Sequence, residues 1–157
     1  MADDLRRGAG AKNHFITYAR HALSVPDRDK LARMDVFRPD RSQAQPPAHP
    51  EYFAGRVFMH RLVGADRSRQ LEITAVFFED GARTTPHTHT TDQVLYVVTG
   101  TCVVADEGGR RQVGAGEYVM LPADRWHWHG AAPGQSACHV SFRQPGPSDW
   151  TVERRDW

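Results

Sequence analysis

Cysteine is scarce in this 157-residue chain, lysine is scarce among its cations, and no long apolar run occurs; each shortage narrows what the protein can be. Cys102 and Cys138 are too few and too far apart for a disulfide framework, and both sit in apolar stretches where a reduced thiol packs as a small hydrophobe. The balance of 20 Lys and Arg against 19 Asp and Glu leaves a net charge of +1. Nearly all the cations are Arg, but a balanced chain makes no basic surface for nucleic acid, so nucleic acid is not an expected partner. No stretch approaches the roughly 18 apolar residues needed to cross a bilayer. The opening MADDLRRGAGAKNHF also lacks the apolar centre of a secretory signal, so we expect a cytoplasmic protein with no membrane partner. Neither a nucleophile elbow nor a phosphate loop is present, and the glycines around Gly114–Gly116 follow the wrong element for dinucleotide binding.

The length suits one domain of roughly 100–200 residues. Residues 1–50 are charged and strand-poor and end in SQAQPPAHP, whose prolines favour extended backbone. Helical spacing of Phe15, Ala19, Ala22 and Leu23 after Asn13, and Pro26 ahead of DRDKLARM, predict a partly helical extension that serves as a dimer arm or a lid. From Tyr52 the texture changes. RVFMHRLV, LEITAVFF, QVLYVV, TCVVAD, EYVMLP and ACHVSF are short runs rich in Val, Phe, Tyr and Thr, with Gly81, Gly100, Gly108, Gly109 and Gly114 between them. Turns at such intervals, with no long helix, predict an antiparallel β barrel over 51–145 and a tail over 146–157.

Four histidines form two tight pairs, His87-Thr88-His89 and His127-Trp128-His129. Alternate residues of a strand share a face, so each pair places two imidazoles on one side, an arrangement suited to a metal. Gln93 falls on the same interior face as Leu95 and Val97 if its strand starts near Asp92. On the strand ACHVSF the same parity puts Cys138, Val140 and Phe142 outside and His139, Ser141 and Arg143 inside, while Trp126 and Trp128 point away from the ligand side and pack the barrel. His14, His21, His49 and His60 lack comparable partners and read as structural or exposed. Arg67, Arg69, Arg110 and Arg111 read as solvated surface.

Taken whole, Gly81, five residues, His87-x-His89, three residues, Gln93, six residues, Gly100, and later Gly116, five residues, Pro122-x-Asp124, two residues, His127, resembles the two motifs of the cupins. The resemblance implies an all-β double-stranded β-helix, or jelly-roll barrel, with one metal inside. It places that metal on His87, His89 and His127, with Gln93 where most cupins carry Glu; Asp124 replaces the usual glycine and Ala131 the usual asparagine. FEDGARTTPHTH and HWHGAAP, with His139 downstream, further resemble small bacterial cupins that include manganese-dependent hydroxynitrile lyases and cupins associated with carboxymuconolactone decarboxylase. This implies that His129, His139 and Thr84 lie beside the metal as acid/base or supporting groups. It also implies that Thr74, Val76 and Arg143 line the substrate cavity.

Three imidazoles and one amide leave the charge of a divalent metal unneutralised, so such a site attracts anions. Mn or Fe is favoured by the resemblance, whereas ligand type alone also admits Ni, Zn or Cu. The expected partner is a small polar or anionic molecule, a carboxylate among the candidates, because Arg143 finds no obvious carboxylate among the Thr, Gln, Ser and His residues expected around it. A lyase-type reaction comes first, an iron-dependent dioxygenase second, and a non-catalytic small-molecule binding module third. A homodimer is the expected assembly.

Overall fold

The structure is a computed structural model that describes residues 34–153; the helices expected after Asn13 and Pro26, with His14 and His21, lie outside the described residues. Among the described residues ten strands follow one another: β1 Phe53–Val63, β2 Glu72–Thr84, β3 Thr88–His89, β4 Gln93–Thr99, β5 Thr101–Asp106, β6 Gly109–Gly114, β7 Tyr118–Leu121, β8 Trp128–Ala131, β9 Ala137–Arg143 and β10 Ser148–Asp149. No helix among the described residues is long and apolar enough to cross a membrane.

β2 organises the barrel because it is long and bent. Along one edge it pairs antiparallel with β1. Along the other it pairs first with β9, from Glu72↔Arg143 to Phe78↔Ala137, and then, past a bend, with β8 at Arg83↔Gly130. The bend is where Asp80 and Gly81 take left-handed conformations (φ 51 and 74), and β1 shifts register opposite, between Ala54 and Arg56. Two pleated arms therefore leave β2, one through β9, β4 and β7 and the other through β8, β5 and β6. Folded toward each other, they make the antiparallel barrel that the strand pattern predicts, in the jelly-roll form that the resemblance implies.

The interior between the arms holds Val76, Phe78, Leu95, Val97, Cys102, Val104 and Leu121, all buried. β4 shows why: Gln93, Leu95 and Val97 alternate as buried residues with less buried neighbours, the period of a strand with one face on a core. On β9 the parity argument holds, since Cys138 and Val140 pack with Ala75, Leu62 and Phe142 on a second, outer cluster. Trp128 packs outside with Val103, Ala105, Ala132 and Trp126, beneath the guanidinium of Arg83 at 5.2 Å from its ring centre. β6, with the sequence GRRQVG, was not among the expected strands; its middle residues are exposed, so no apolar alternation marks it, and it is held by its ladder to β5. Ahead of Pro50, Gln45 exchanges two backbone hydrogen bonds with Met59 (3.0 and 2.8 Å), and Ala44 is buried.

Close backbone approach is decisive at Gly130, where β8 crosses the end of β2. A Cβ there would lie 2.3 Å from the Arg83 Cβ and 2.4 Å from the Ala82 carbonyl oxygen. Gly130→Ala should destabilise the barrel by about 1–3 kcal/mol through overpacking. The expected sign is a lower urea midpoint with an unchanged slope.

Candidate metal centre

Two short segments at one end of the barrel bring the paired histidines together. His87 and His127 face each other in an antiparallel bridge, each backbone N–H donating to the other's carbonyl at 2.9 Å. His89 lies on β3 two residues on, so both imidazoles of the first pair point inward. One ring nitrogen from each of His87, His89 and His127 falls within 4.8 Å of the others, and all three residues are buried.

The hydrogen bonds settle which nitrogens are available. His87 Nδ1 lies 2.8 Å from the Thr85 carbonyl and His127 Nδ1 3.0 Å from the Arg125 carbonyl. A carbonyl only accepts, so both Nδ1 atoms carry the proton and both Nε2 atoms present lone pairs. Gln93 donates from Nε2 to Ser141 Oγ (2.8 Å), which turns its Oε1 toward His127 Nε2 at 3.2 Å. Two acceptors face one another there with no proton between them, and His89 Nε2 is buried without a partner. A cation is what that arrangement lacks, so the residues fit a metal ion.

Electrostatics agree with this fit. Burial, and then the neighbouring imidazoles, hold the His87 pKa well below its ordinary value. Burial and then the Arg143 guanidinium lower His89 to about 3, and burial lowers His127. All three are neutral at neutral pH, the state in which imidazole ligates.

A cavity of about 160 Å³ opens beside the three histidines. Thr74, Val76 and Thr84 of β2, Gln93 of β4, and His139, Ser141 and Arg143 of β9 are among the residues that line it. His129 and His139 form a pair: His139 Nε2 lies 3.0 Å from His129 Nδ1. The His129 backbone N–H donates to the buried Thr84 Oγ1 at 3.1 Å. His129 Nε2 and His139 Nδ1 remain buried without partners. Burial pushes His139 down to about 3 and His129 well down, so this pair is also neutral. The His129 ring centre is 5.4 Å from that of His87.

One expectation is corrected. Arg143 does have a carboxylate partner, for its Nη2 lies 3.1 Å from Glu72 Oε2. Glu72 stands directly across the β2–β9 ladder from Arg143, a neighbour that only the strand pairing reveals. The guanidinium therefore does not need a substrate carboxylate to balance its charge.

The tail also reaches the site, which its sequence did not announce. β10 pairs with β3 (Ser148↔His89, Asp149↔Thr88), and the Trp150 indole stacks on His87 at 4.1 Å and on Tyr52 at 4.6 Å. Trp150, Ser148 and Phe53 thereby wall the cavity. The only available signal was an aromatic residue in the otherwise polar run GPSDWTVE.

Comparison with known proteins agrees with this geometry. A family model described as a cupin domain matches residues 75–142. A protein of Granulicella tundricola named (R)-mandelonitrile lyase is 34% identical over 104 residues, which span 66% of this chain and 79% of that one. The chain belongs to the cupin family. Among solved cupin-fold structures, a cupin-like protein from Thermotoga maritima is 28% identical with a TM-score of 0.67, covering 78% of this chain and 92% of its own. The polyketide cyclase RemF from Streptomyces resistomycificus shares the fold at 21% identity and a TM-score of 0.63, covering 78% of this chain and 89% of its own. In this cupin the left-handed backbone at Asp124 (φ 61) falls where the family motif has glycine, so the replacement keeps the turn. The three histidines positioned for a metal are the motif histidines.

Proposed function

We propose that this cupin is a metal-dependent lyase that breaks or forms a carbon–carbon bond in a small hydroxynitrile-like molecule by acid/base chemistry. The observation that carries the reading is the neutral His129–His139 pair, each ring with one unpartnered nitrogen, in a cavity beside three histidines positioned for a metal. His87, His89, His127 and Gln93 would hold a divalent ion, with manganese or iron favoured by the family resemblance. A divalent ion in such a neutral ligand set polarises a hydroxyl or carbonyl oxygen and draws anions.

The chain's own residues supply the rest. One unpartnered nitrogen of the His129–His139 pair takes the proton of the substrate hydroxyl as the carbon–carbon bond breaks, and the same pair returns it to the departing cyanide; the products are a carbonyl compound and hydrogen cyanide. Neutral imidazoles suit this traffic, since each is donor at one nitrogen and acceptor at the other. Thr84 fixes the His129 backbone, while Val76, Phe53 and Trp150 exclude water. An apolar cavity of about 150 Å³ accommodates one benzene, so a cavity of about 160 Å³ selects compact substrates. The relative's name, (R)-mandelonitrile lyase, supports this reaction class.

The test is an assay of the manganese-loaded and iron-loaded protein with mandelonitrile and smaller aliphatic hydroxynitriles, following cyanide release and dissolved oxygen together. Cyanide release that disappears after chelation and returns with metal is the expected result. Substrate-dependent oxygen uptake without cyanide release would replace the lyase by the dioxygenase reading.

A further inference from the structure

Three histidines approach the centre, but their far nitrogens are held in different ways. His87 and His127 donate to carbonyls two residues earlier in their own segments, so local backbone fixes their tautomers. His89 instead meets a side chain from the C-terminal tail: its Nδ1 lies 2.8 Å from Ser148 Oγ on β10. A hydroxyl both donates and accepts, so Ser148 alone does not decide the tautomer.

Arg143 decides it. Its Nη1 lies 3.1 Å from Ser148 Oγ and 3.1 Å from His89 Nδ1, and Glu72 holds the guanidinium in place. A guanidinium can only donate. Ser148 Oγ accepts from Arg143 and is placed to accept from a His89 Nδ1–H as well, the arrangement that leaves His89 Nε2 as the lone-pair atom facing the cluster. Arg143 Nη1 already stands 3.1 Å from His89 Nδ1, so without the serine oxygen to take that N–H the guanidinium would donate to Nδ1, the proton would move to Nε2, and the ligand atom would be blocked.

We infer that Ser148, on the C-terminal strand, is a positioning residue that holds His89 in its metal-binding tautomer against the competing donor Arg143. The inference rests on the reading of His89 as a ligand. It also explains why the tail closes onto β3, since β10 brings the acceptor that the local backbone supplies to the other two histidines.

The experiment uses the full chain with ¹⁵N-labelled histidine, stripped of metal by chelator, and long-range ¹H–¹⁵N correlation spectra to identify the protonated nitrogen of His89. Manganese(II) and zinc(II) titrations follow on the same samples. Ser148→Ala should convert His89 from the Nδ1–H to the Nε2–H form and weaken metal binding by roughly 10–100-fold, the range typical of lost support to a ligand. The backbone pairing of β10 with β3 does not use the hydroxyl, so the tail keeps its register.

Ser148→Thr keeps the oxygen and should keep both properties. The double variant Ser148→Ala/Arg143→Gln removes the competing donor and offers an amide oxygen in its place, so it should restore the Nδ1–H form and most of the affinity. A Ser148→Ala protein that retains the Nδ1–H form, or a double variant no better than the single one, would overturn the inference. A wild-type protein that takes up neither metal would overturn the ligand reading instead, and the tautomer signals of the metal-free samples would still decide the role of Ser148.

Discussion

His127→Ala should leave a folded barrel that no longer holds its metal. His127 contributes one of three imidazoles whose ligand atoms lie within 4.8 Å, and its Nε2 faces the Gln93 amide oxygen at 3.2 Å. Loss of a ligand itself should cost more than the roughly 10–100-fold typical of lost outer support. Metal content after purification without an affinity tag should therefore fall close to zero, and hydroxynitrile cleavage with it. The fold should survive, because the buried cluster of Val76, Phe78, Leu95, Val97 and Leu121 and the ladders of β2, β9 and β4 do not pass through His127. Elemental analysis with far-ultraviolet circular dichroism separates the two effects. Full metal occupancy in a folded His127→Ala protein would remove the histidine cluster from the mechanism.

His139→Ala should do the reverse, keeping the metal and losing the chemistry. His139 is fully buried, lies outside the three-histidine cluster, and touches His129 through a 3.0 Å hydrogen bond. A positioned proton-transfer group contributes typically about 10²–10⁴-fold. The turnover number should drop by that order, with metal content unchanged. Truncation also leaves His129 Nδ1 buried without its partner, which costs about 1–3 kcal/mol of stability. His139→Asn, which can restore a donor or acceptor to His129 but not a second imidazole, should recover part of the stability and little of the rate. Metal loss in parallel with activity would make His139 a support of the ligands rather than a proton carrier.

Several features of this site were legible because they depend only on strand parity and spacing. The resemblance of the motifs to those of cupins implied that His87, His89 and His127 share one centre, and β4 begins at Gln93, so that residue shares the interior face with Leu95 and Val97 as strand parity requires. Alternation along β9 correctly turned His139, Ser141 and Arg143 inward and Cys138, Val140 and Phe142 outward. A period of two survives whatever the strand pairs with, so a single sequence carries it.

Partners across the barrel were not legible, for the opposite reason. Glu72 meets Arg143 because β2 lies beside β9, yet the two residues are 71 positions apart and nothing local to either announces the other. Ser148 reaches His89, and Trp150 stacks on His87, because β10 closes onto β3 after a connection that the polar tail composition did not suggest. Short-range periodicity carries the strands and the face on which each of their residues lies, whereas the three histidines of the centre were implied by the cupin motifs and meet because the segments around His87 and His127 pair. Register and closure alone set which carboxylate balances Arg143, which nitrogen His139 meets, and which oxygen supports His89, because each of these is a distance between elements remote in the chain.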